Sequence, residues 1–409
     1  MKEYFIWCVL FVFLAGCSDS DKPTPEPLPI PPEKEEPDTK VWLREKDSLA
    51  LVNLWNTSVW EKDKPDWDFS AGMTTWIGVT VENGRVVGLD FSWGQLTELS
   101  DGIGRFSVLR DLDISGNEAL TVLTDSIWTL SGLSRLDISS TGLETISGQV
   151  TSCRSLAFLK MEEWKGKEFP ESVLACDFID SLIVSPLTGW DGVMIPDNIG
   201  NMTGLKYLSL SNMTAADFVF PASLGELSQL KNLILENIGV ELLPECIGEL
   251  KNLEELQLMF LNVPEIPEWI DGLNRLKRLS CVACGLEEFP AAERLVNLEE
   301  LDLSGNYIPE LPPEIGQLTR LTRLSLEASG VASISDEIGN LISLRELNLS
   351  ANYLTGLPET MEALIALELL DLTDNFDLNW EIPASMKARV NTGDLIIKTG
   401  EAEEDPGIK

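Results

Sequence analysis

The sequence predicts an α/β repeat solenoid, a right-handed superhelix whose short β-strands lie parallel and side by side. Three observations lead there. An apolar triplet at positions i, i+3 and i+5 recurs thirteen times, with starts 22–26 residues apart. A proline stands twelve residues before the middle triplet position in seven copies: Pro170, Pro196, Pro221, Pro244, Pro267, Pro312 and Pro358. The chain's 409 residues also exceed one compact globule at the usual ~100–200 residues per domain. A stack of turns escapes that limit, because each turn packs only on its neighbours.

Composition narrows the function. There are 67 acidic and 30 basic side chains, a net charge of −37, and no histidine. Nucleic acid is excluded as a partner, since its binders need a basic footprint. Histidine-dependent triads, histidine metal sites and a histidine general base are excluded too. No nucleophile elbow, P-loop, dinucleotide fingerprint or metal-ligand cluster is present. The chain is therefore expected to be non-enzymatic, with no cofactor and no metal. A carboxylate pair of glycosidase type has no identifiable candidate, because acidic pairs are too abundant.

The first element is an address. Lys2 precedes an apolar run from Tyr4 to Ala15. At about 12 residues it is too short for a bilayer span, which needs ~20, but it suits the apolar region of a signal peptide. Leu14-Ala15-Gly16-Cys17 resembles the lipobox of bacterial lipoprotein signals. That resemblance implies removal of residues 1–16 and lipid on Cys17, hence an outer-membrane lipoprotein of the cell envelope. Several acyl chains anchor stably where one does not. Ser18-Asp19-Ser20-Asp21 reads equally as a surface-export signal, like that of some Gram-negative lipoproteins, or as the start of a solvated tether. Residues 17–40 form that tether, with seven prolines among Glu and Lys. Such a composition favours extended polyproline II, a reach of ~70 Å at ~3.1 Å per residue.

Residues 41–85 read as an N-terminal cap. Its tryptophans, Trp42, Trp55, Trp60, Trp67 and Trp76, are expected to form cap core, and Leu49 to Trp55 reads as helix. A cap is needed because an open edge strand invites aggregation. The repeats follow over 86–395. Triplets start at Val86, Leu109, Leu133, Leu156, Ile179, Leu205, Leu230, Leu253, Leu276, Leu298, Leu321, Leu344 and Leu367. Pro383, twelve before Leu395, marks a frayed last unit, and 396–409 is an acidic tail. Within each triplet the apolar positions of a short strand alternate inward. Parallel stacking pairs every backbone group except those at the two ends. Thirteen strands at ~4.8 Å give a sheet roughly 60 Å long.

These units resemble the leucine-rich repeat (LRR) family. Leu-Pro-Pro-Glu-Ile-Gly-Gln-Leu at 311–318 leads into Leu321 to Leu326, and 344–352 shows the strand segment LxxLxLxxN. The resemblance implies a horseshoe with the strands on the concave face, and a protein-binding role. It also implies that Asn117, Asn306, Asn352 and Asn375, at i+8, bond to free backbone groups at the bend. Thr141, Cys284 and Ser329 are small polar stand-ins there. Trp164, Leu187, Met213, Ile238 and Leu261 depart from the pattern, which marks 156–262 as irregular. Trp76 to Thr80 and Gly84 to Leu89 resemble the N-terminal cap of plant-type LRR receptors, without its cysteines.

Cys281 and Cys284 have CxxC spacing but fall on repeat landmarks, so buried small residues are the better reading. Cys153 and Cys176, 23 apart, both replace the inward Leu of the convex return. Adjacent turns would bring them within reach, leaving either a disulfide or two reduced core thiols.

On the concave face, outward positions are mostly short and polar, such as Ser92, Ser115, Ser139 and Ser304. The irregular units differ: Phe158, Ile183, Tyr207, Ile234 and Met259 form an outward apolar stripe. It is either a partner site, or the product of a register slip or a covering insertion. Asp90, Asp113 and Asp137 align at i+4 with Asp111 beside them. Their mutual repulsion, up to about 1 kcal/mol per pair in water, would be relieved by a basic partner or Ca²⁺. Because Asp is common at this place in the family, a solvated face is the better reading. Loop acidity suffices for Asp63, Asp66 and Asp68. The expected function is a monomeric, lipid-anchored envelope module that binds a protein, either an adhesin or a receptor, facing the cell exterior or the periplasm. The alternative is glycan capture with Trp164, Trp190 and Tyr207 stacking on sugars, and a purely structural envelope role is the bland one.

Overall fold

The computed structural model describes residues 47–61, 65–187, 195–214, 218–290, 295–378 and 382–399, all within one compact unit, Trp42–Lys409. The signal and Cys17, the tether with Ser18–Asp21, Trp42, Asp63, Trp190 and the tail beyond residue 399 lie outside the described residues.

Fifteen described strands form one sheet in chain order. The middle triplet residues pair directly: Leu89 with Leu112, Leu112 with Leu136, and on through Leu256 and Leu347 to Leu370. Each of these leucines is buried, Leu256 fully. A register slip across the irregular units, one of the alternatives for the apolar stripe, does not occur. Leu159, Leu182, Leu208 and Leu233 stay in step, and the only irregularity among those pairs is a bulge between Met161 and Trp164. The two longer units contain 188–194 and 215–217, which lie outside the described residues.

One further strand closes each end of the thirteen repeat strands. Val79–Glu82 pairs antiparallel with Arg85–Asp90. Their hairpin turns at Asn83 and Gly84, both at positive φ (51° and 70°), the backbone that favours Asn-Gly in tight hairpins. At the other end Ile396–Lys398 pairs with Leu369–Asp371 and sets Ile397 against Leu370. The last register is thus two residues later than Pro383 implied. The return there is a nine-residue α-helix, Ala384–Thr392, where most other turns use a five-residue 3₁₀ segment such as Glu245–Glu249. The first residues assigned to the tail are therefore sheet.

The twelve-residue proline landmark has a structural cause. Pro221, Pro244, Pro267, Pro312 and Pro358 each sit directly before the 3₁₀ segment, at φ between −61° and −81°, which proline's ring supplies without strain. In other units Ser100, Thr124, Ser147 and Ser335 occupy the same register. Each accepts the N–H two residues on through its hydroxyl, the other common way to start a helical turn. One apolar residue of each segment, such as Ile103, Ile127, Val150, Leu224 or Met361, is buried in the core.

Most three-residue strands of the sheet end at an Asp or Asn at i+4; Arg323–Ser325, with Ser325 there, is equally short without one. Where i+4 is Asp or Asn, its oxygen accepts the N–H two residues on: Asp113 from Ser115 (2.9 Å), Asp137 from Ser139 (2.9 Å), Asp302 from Ser304 (3.0 Å), Asn348 from Ser350 (3.0 Å). This Asx turn competes with the ladder, and those strands end after three residues. The irregular units have Lys160, Ile183, Ser209, Ile234 and Gln257 there, and their strands run five to seven residues.

At i+8, Asn352 donates to Leu326 O, Leu349 O and Ser350 O, and accepts from Ser329 N and Val331 N. Asn117, Asn306 and Asn375 do the same across their own turns. Thr141 and Ser329 bond through hydroxyls, and Cys284 donates its S–H to Leu258 O (3.3 Å) and Val282 O (3.5 Å). In the departures Trp164, Met213, Ile238 and Leu261, the side chain is buried instead.

In the cap, the helix Ser48–Thr57 buries Leu51 and Leu54. Trp60, Trp67 and Trp76 are buried, with Trp67 stacked on Trp76 at 5.1 Å. Trp55 is half-buried and donates to Pro65 O. Asp47 ties the cap to the sheet by accepting from Arg85 Nε (2.9 Å) and Val86 N (2.8 Å).

Candidate functional site

The Asp row and the apolar stripe, separate features in the sequence, line one groove. Its volume is about 610 Å³, and it opens on the strand face between Val79–Glu82 and Tyr207–Ser211. Asp90, Asp111, Asp113 and Asp137 line one part of it, and Phe158, Ile183 and Tyr207 the other. All three apolar residues are half-buried, as are Ile234 and Met259, which stand on later strands and do not line the groove.

The groove brings in two cations that the sequence reading passed over. Arg135 places its guanidinium 4.0 Å from the Phe158 ring centroid and its Nε 3.6 Å from Asp111. Lys160 lies 2.6 Å from Glu162 and 3.9 Å from Asp137. A count of charged residues at outward positions i+2 and i+4 would have found both. Two cations against five lining carboxylates (Asp90, Asp111, Asp113, Asp137, Glu162) leave 2 − 5 = −3. Burial alone would lower the Lys160 pKa, but the Glu162 hydrogen bond and the charges of Glu162, Asp137 and Asp113 outweigh it and raise it. Burial first, then Glu255 and Glu162, push the Tyr207 phenol up, and Lys160 opposes them. Lys160 is thus held charged and Tyr207 neutral.

The Asp row also has a structural use, because Asp90, Asp113 and Asp137 each commit one oxygen to an Asx turn. Further along the sheet the charges compensate each other. Arg278 bonds Glu255 at 2.6 Å, Arg323 lies between Glu300 (3.1 Å) and Glu346 (3.2 Å), and Arg345 meets Glu368 at 2.7 Å. Burial alone would raise the Glu255 pKa, but Arg278, Gln257 and Asn232 bring it down. Such partly exposed pairs add little stability, whereas in the groove lining the carboxylates outnumber the cations.

Other candidates resolve differently. Trp164 is buried and donates Nε1–H to Glu168 O (3.2 Å), so it is core and no sugar platform. Asp68 accepts from Ser70 N and Oγ, which holds its carboxyl below the usual range. Among the described residues, no group of three or more Cys, Asp or Glu is placed to hold a metal ion. Cys153 and Cys176 are free thiols, both buried. Cys153 donates to Leu130 O (3.5 Å), and Cys176 to Ser172 O (3.5 Å). Burial pushes each up to about 11, with Arg154 opposing and Asp177 and Cys153 adding at Cys176. Cys281 and Cys284 are buried free thiols as well.

Comparison with known proteins agrees with this architecture. Two family models match, "Leucine rich repeat" over residues 319–375 and "Leucine Rich Repeat" over 297–318. Both fall on units with a polar i+8 residue. A search of the curated proteins finds no match. Among solved structures, an LRR protein of Leptospira interrogans is 26% identical, with TM-score 0.59, covering 74% of this chain and 81% of its own. An internalin of Listeria monocytogenes is 17% identical, with TM-score 0.56, covering 80% and 92%. The plant peptide hormone receptor RGFR1, solved in complex with RGF2, is 25% identical, with TM-score 0.51, covering 80% and 60%. The in-register leucine column, the i+8 bonds and these matches identify the fold as a leucine-rich repeat solenoid.

Proposed function

We propose that this chain is a non-catalytic, lipid-anchored receptor or adhesin of the cell envelope, binding a protein ligand through a basic, partly apolar segment. The observation that carries the reading is the groove itself. It joins surplus carboxylates to Phe158, Ile183 and Tyr207 within one concavity, so a segment pairing Lys or Arg with an apolar side chain meets both. Charge complementarity would set the approach and the choice of partner, and the half-buried aromatics the affinity. The fold supports a binding role, and the plant peptide hormone receptor RGFR1 was solved in complex with RGF2. The lipid anchor rests on Leu14-Ala15-Gly16-Cys17 alone.

Peptide display against the full chain tests the groove. Selected peptides are expected to be enriched in Lys and Arg, and to lose binding when Asp113 and Tyr207 are replaced by Asn and Ala. Peptides without basic enrichment, or unaffected by those replacements, would overturn the reading. Labelling with radioactive palmitate in the producing cell, lost in Cys17→Ala, tests the anchor separately.

A further inference from the structure

At i+9, just past the bend residue, four consecutive turns carry Tyr307, Gly330, Tyr353 and Phe376. The three aromatics are 64%, 66% and 90% exposed. Their backbones are held firmly. Each directly follows a bend Asn, Asn306, Asn352 or Asn375, fixed by side-chain bonds. Tyr307 N also donates to Leu286 O, and Tyr353 N to Val331 O, both at 2.9 Å. Gly330, at φ +76°, supplies the gap. A Cβ there would lie 3.3 Å from Tyr307 Cδ2, so the Tyr307 ring reaches over the next turn and occupies the space a side chain would fill.

The surroundings of this edge are polar and acidic. Glu310, Asp374 and Asp377 are exposed, and the stretches 305–312, 328–334, 351–358 and 374–378 contain no Lys or Arg. The intervening Ala328 and Ala351 are small and exposed.

We infer that this aromatic edge is a stacking platform for a neutral, extended oligosaccharide. Pyranose rings present C–H groups to an aromatic face, which carries the negative part of the ring quadrupole. The carboxylates and the two phenol hydroxyls are at hand for sugar hydroxyls. Turns repeat every ~4.8 Å at the sheet, so Tyr307 and Tyr353 stand about 10 Å apart, a span matching a disaccharide in an extended β-linked chain. Absence of cations from these stretches disfavours sulfated or uronate-rich glycans, which the carboxylates would repel. A protein hot spot would need a packed cluster ringed to exclude water, whereas these rings stand in single file beside alanines. The site is separate from the concave groove and uses other turns.

The test is isothermal titration of the full chain with the neutral hexasaccharides of β1,4-glucan, β1,3-glucan, chitin and mannan. At least one is expected to bind saturably. Tyr353→Ala and Phe376→Ala are each expected to weaken it roughly tenfold, equivalent to ~1.4 kcal/mol, and the double variant to abolish it. Tyr353→Phe should keep most of the affinity, and Tyr207→Ala, in the groove, should leave it unchanged. Unaltered thermal melts would show that the variants fold. Failure of all four sugars to bind would overturn the inference, as would binding that survives the double variant. Loss in the double variant of a captured protein partner, with no sugar bound, would assign the edge to protein instead.

Discussion

The guanidinium of Arg135 lies 4.0 Å from the ring centroid of Phe158, across neighbouring strands. A cation already stacks on the ring that borders the surplus carboxylates. This shows the kind of group the groove accommodates, since cation–π contact strengthens as water is excluded. Removing Arg135 deletes a positive charge and uncovers the ring. Arg135→Ala is therefore expected to tighten a basic peptide about threefold to tenfold, and Phe158→Ala to weaken it about tenfold. Fluorescence anisotropy with a display-selected peptide reads both, and weakening by Arg135→Ala would contradict a basic ligand.

The bend asparagines carry a large share of local stability. Asn352 is buried and makes five backbone bonds. Asn352→Ala leaves buried N–H and C=O groups unpaired, at about 1–3 kcal/mol each, so a loss of at least ~3 kcal/mol is expected in urea unfolding. Leu256→Ala, at a fully buried position of the leucine column, is expected to cost about 2–5 kcal/mol. Asn232→Ala, on the same sheet but half-buried, serves as the mild comparison.

Asp302 offers a pH test. Burial raises its pKa, while Ser304 opposes through two hydrogen bonds. A raised carboxyl adds stability below its ordinary value of 3.8 and loses it as pH climbs through the folded value. Asn348 makes the same turn without a charge. Asp302→Asn is thus expected to melt higher than the parent at pH 7, with the advantage shrinking below pH 4. An advantage that grows on acidification would contradict the burial argument.

The cysteines permit a chemical count. In a chain carrying Cys8→Ser and Cys17→Ser, Cys153, Cys176, Cys246, Cys281 and Cys284 should all label with a maleimide once unfolded, without reductant. Three labels would mean that Cys153 and Cys176 are bridged. In the folded chain Cys281 should label slowest, as it is fully buried with a thiol well above its ordinary pKa.

The sequence by itself determined the solenoid and its register, because a leucine column is a one-dimensional code. Once Leu112, Leu136 and Leu159 repeat, only one stacking buries them all. The clustered tryptophans marked the cap, and the resemblance to leucine-rich repeats marked the i+8 asparagines. Tertiary structure decided what lies between turns. Asp113 and Phe158 are 45 residues apart in sequence, and only the stacking of three strands puts them in one groove. The same holds for the hydroxyl caps that replace proline, the Asx turns that end most three-residue strands, and the burial of Trp164. In each, a side chain had two equally good local uses, and contact with the adjoining turn selected one.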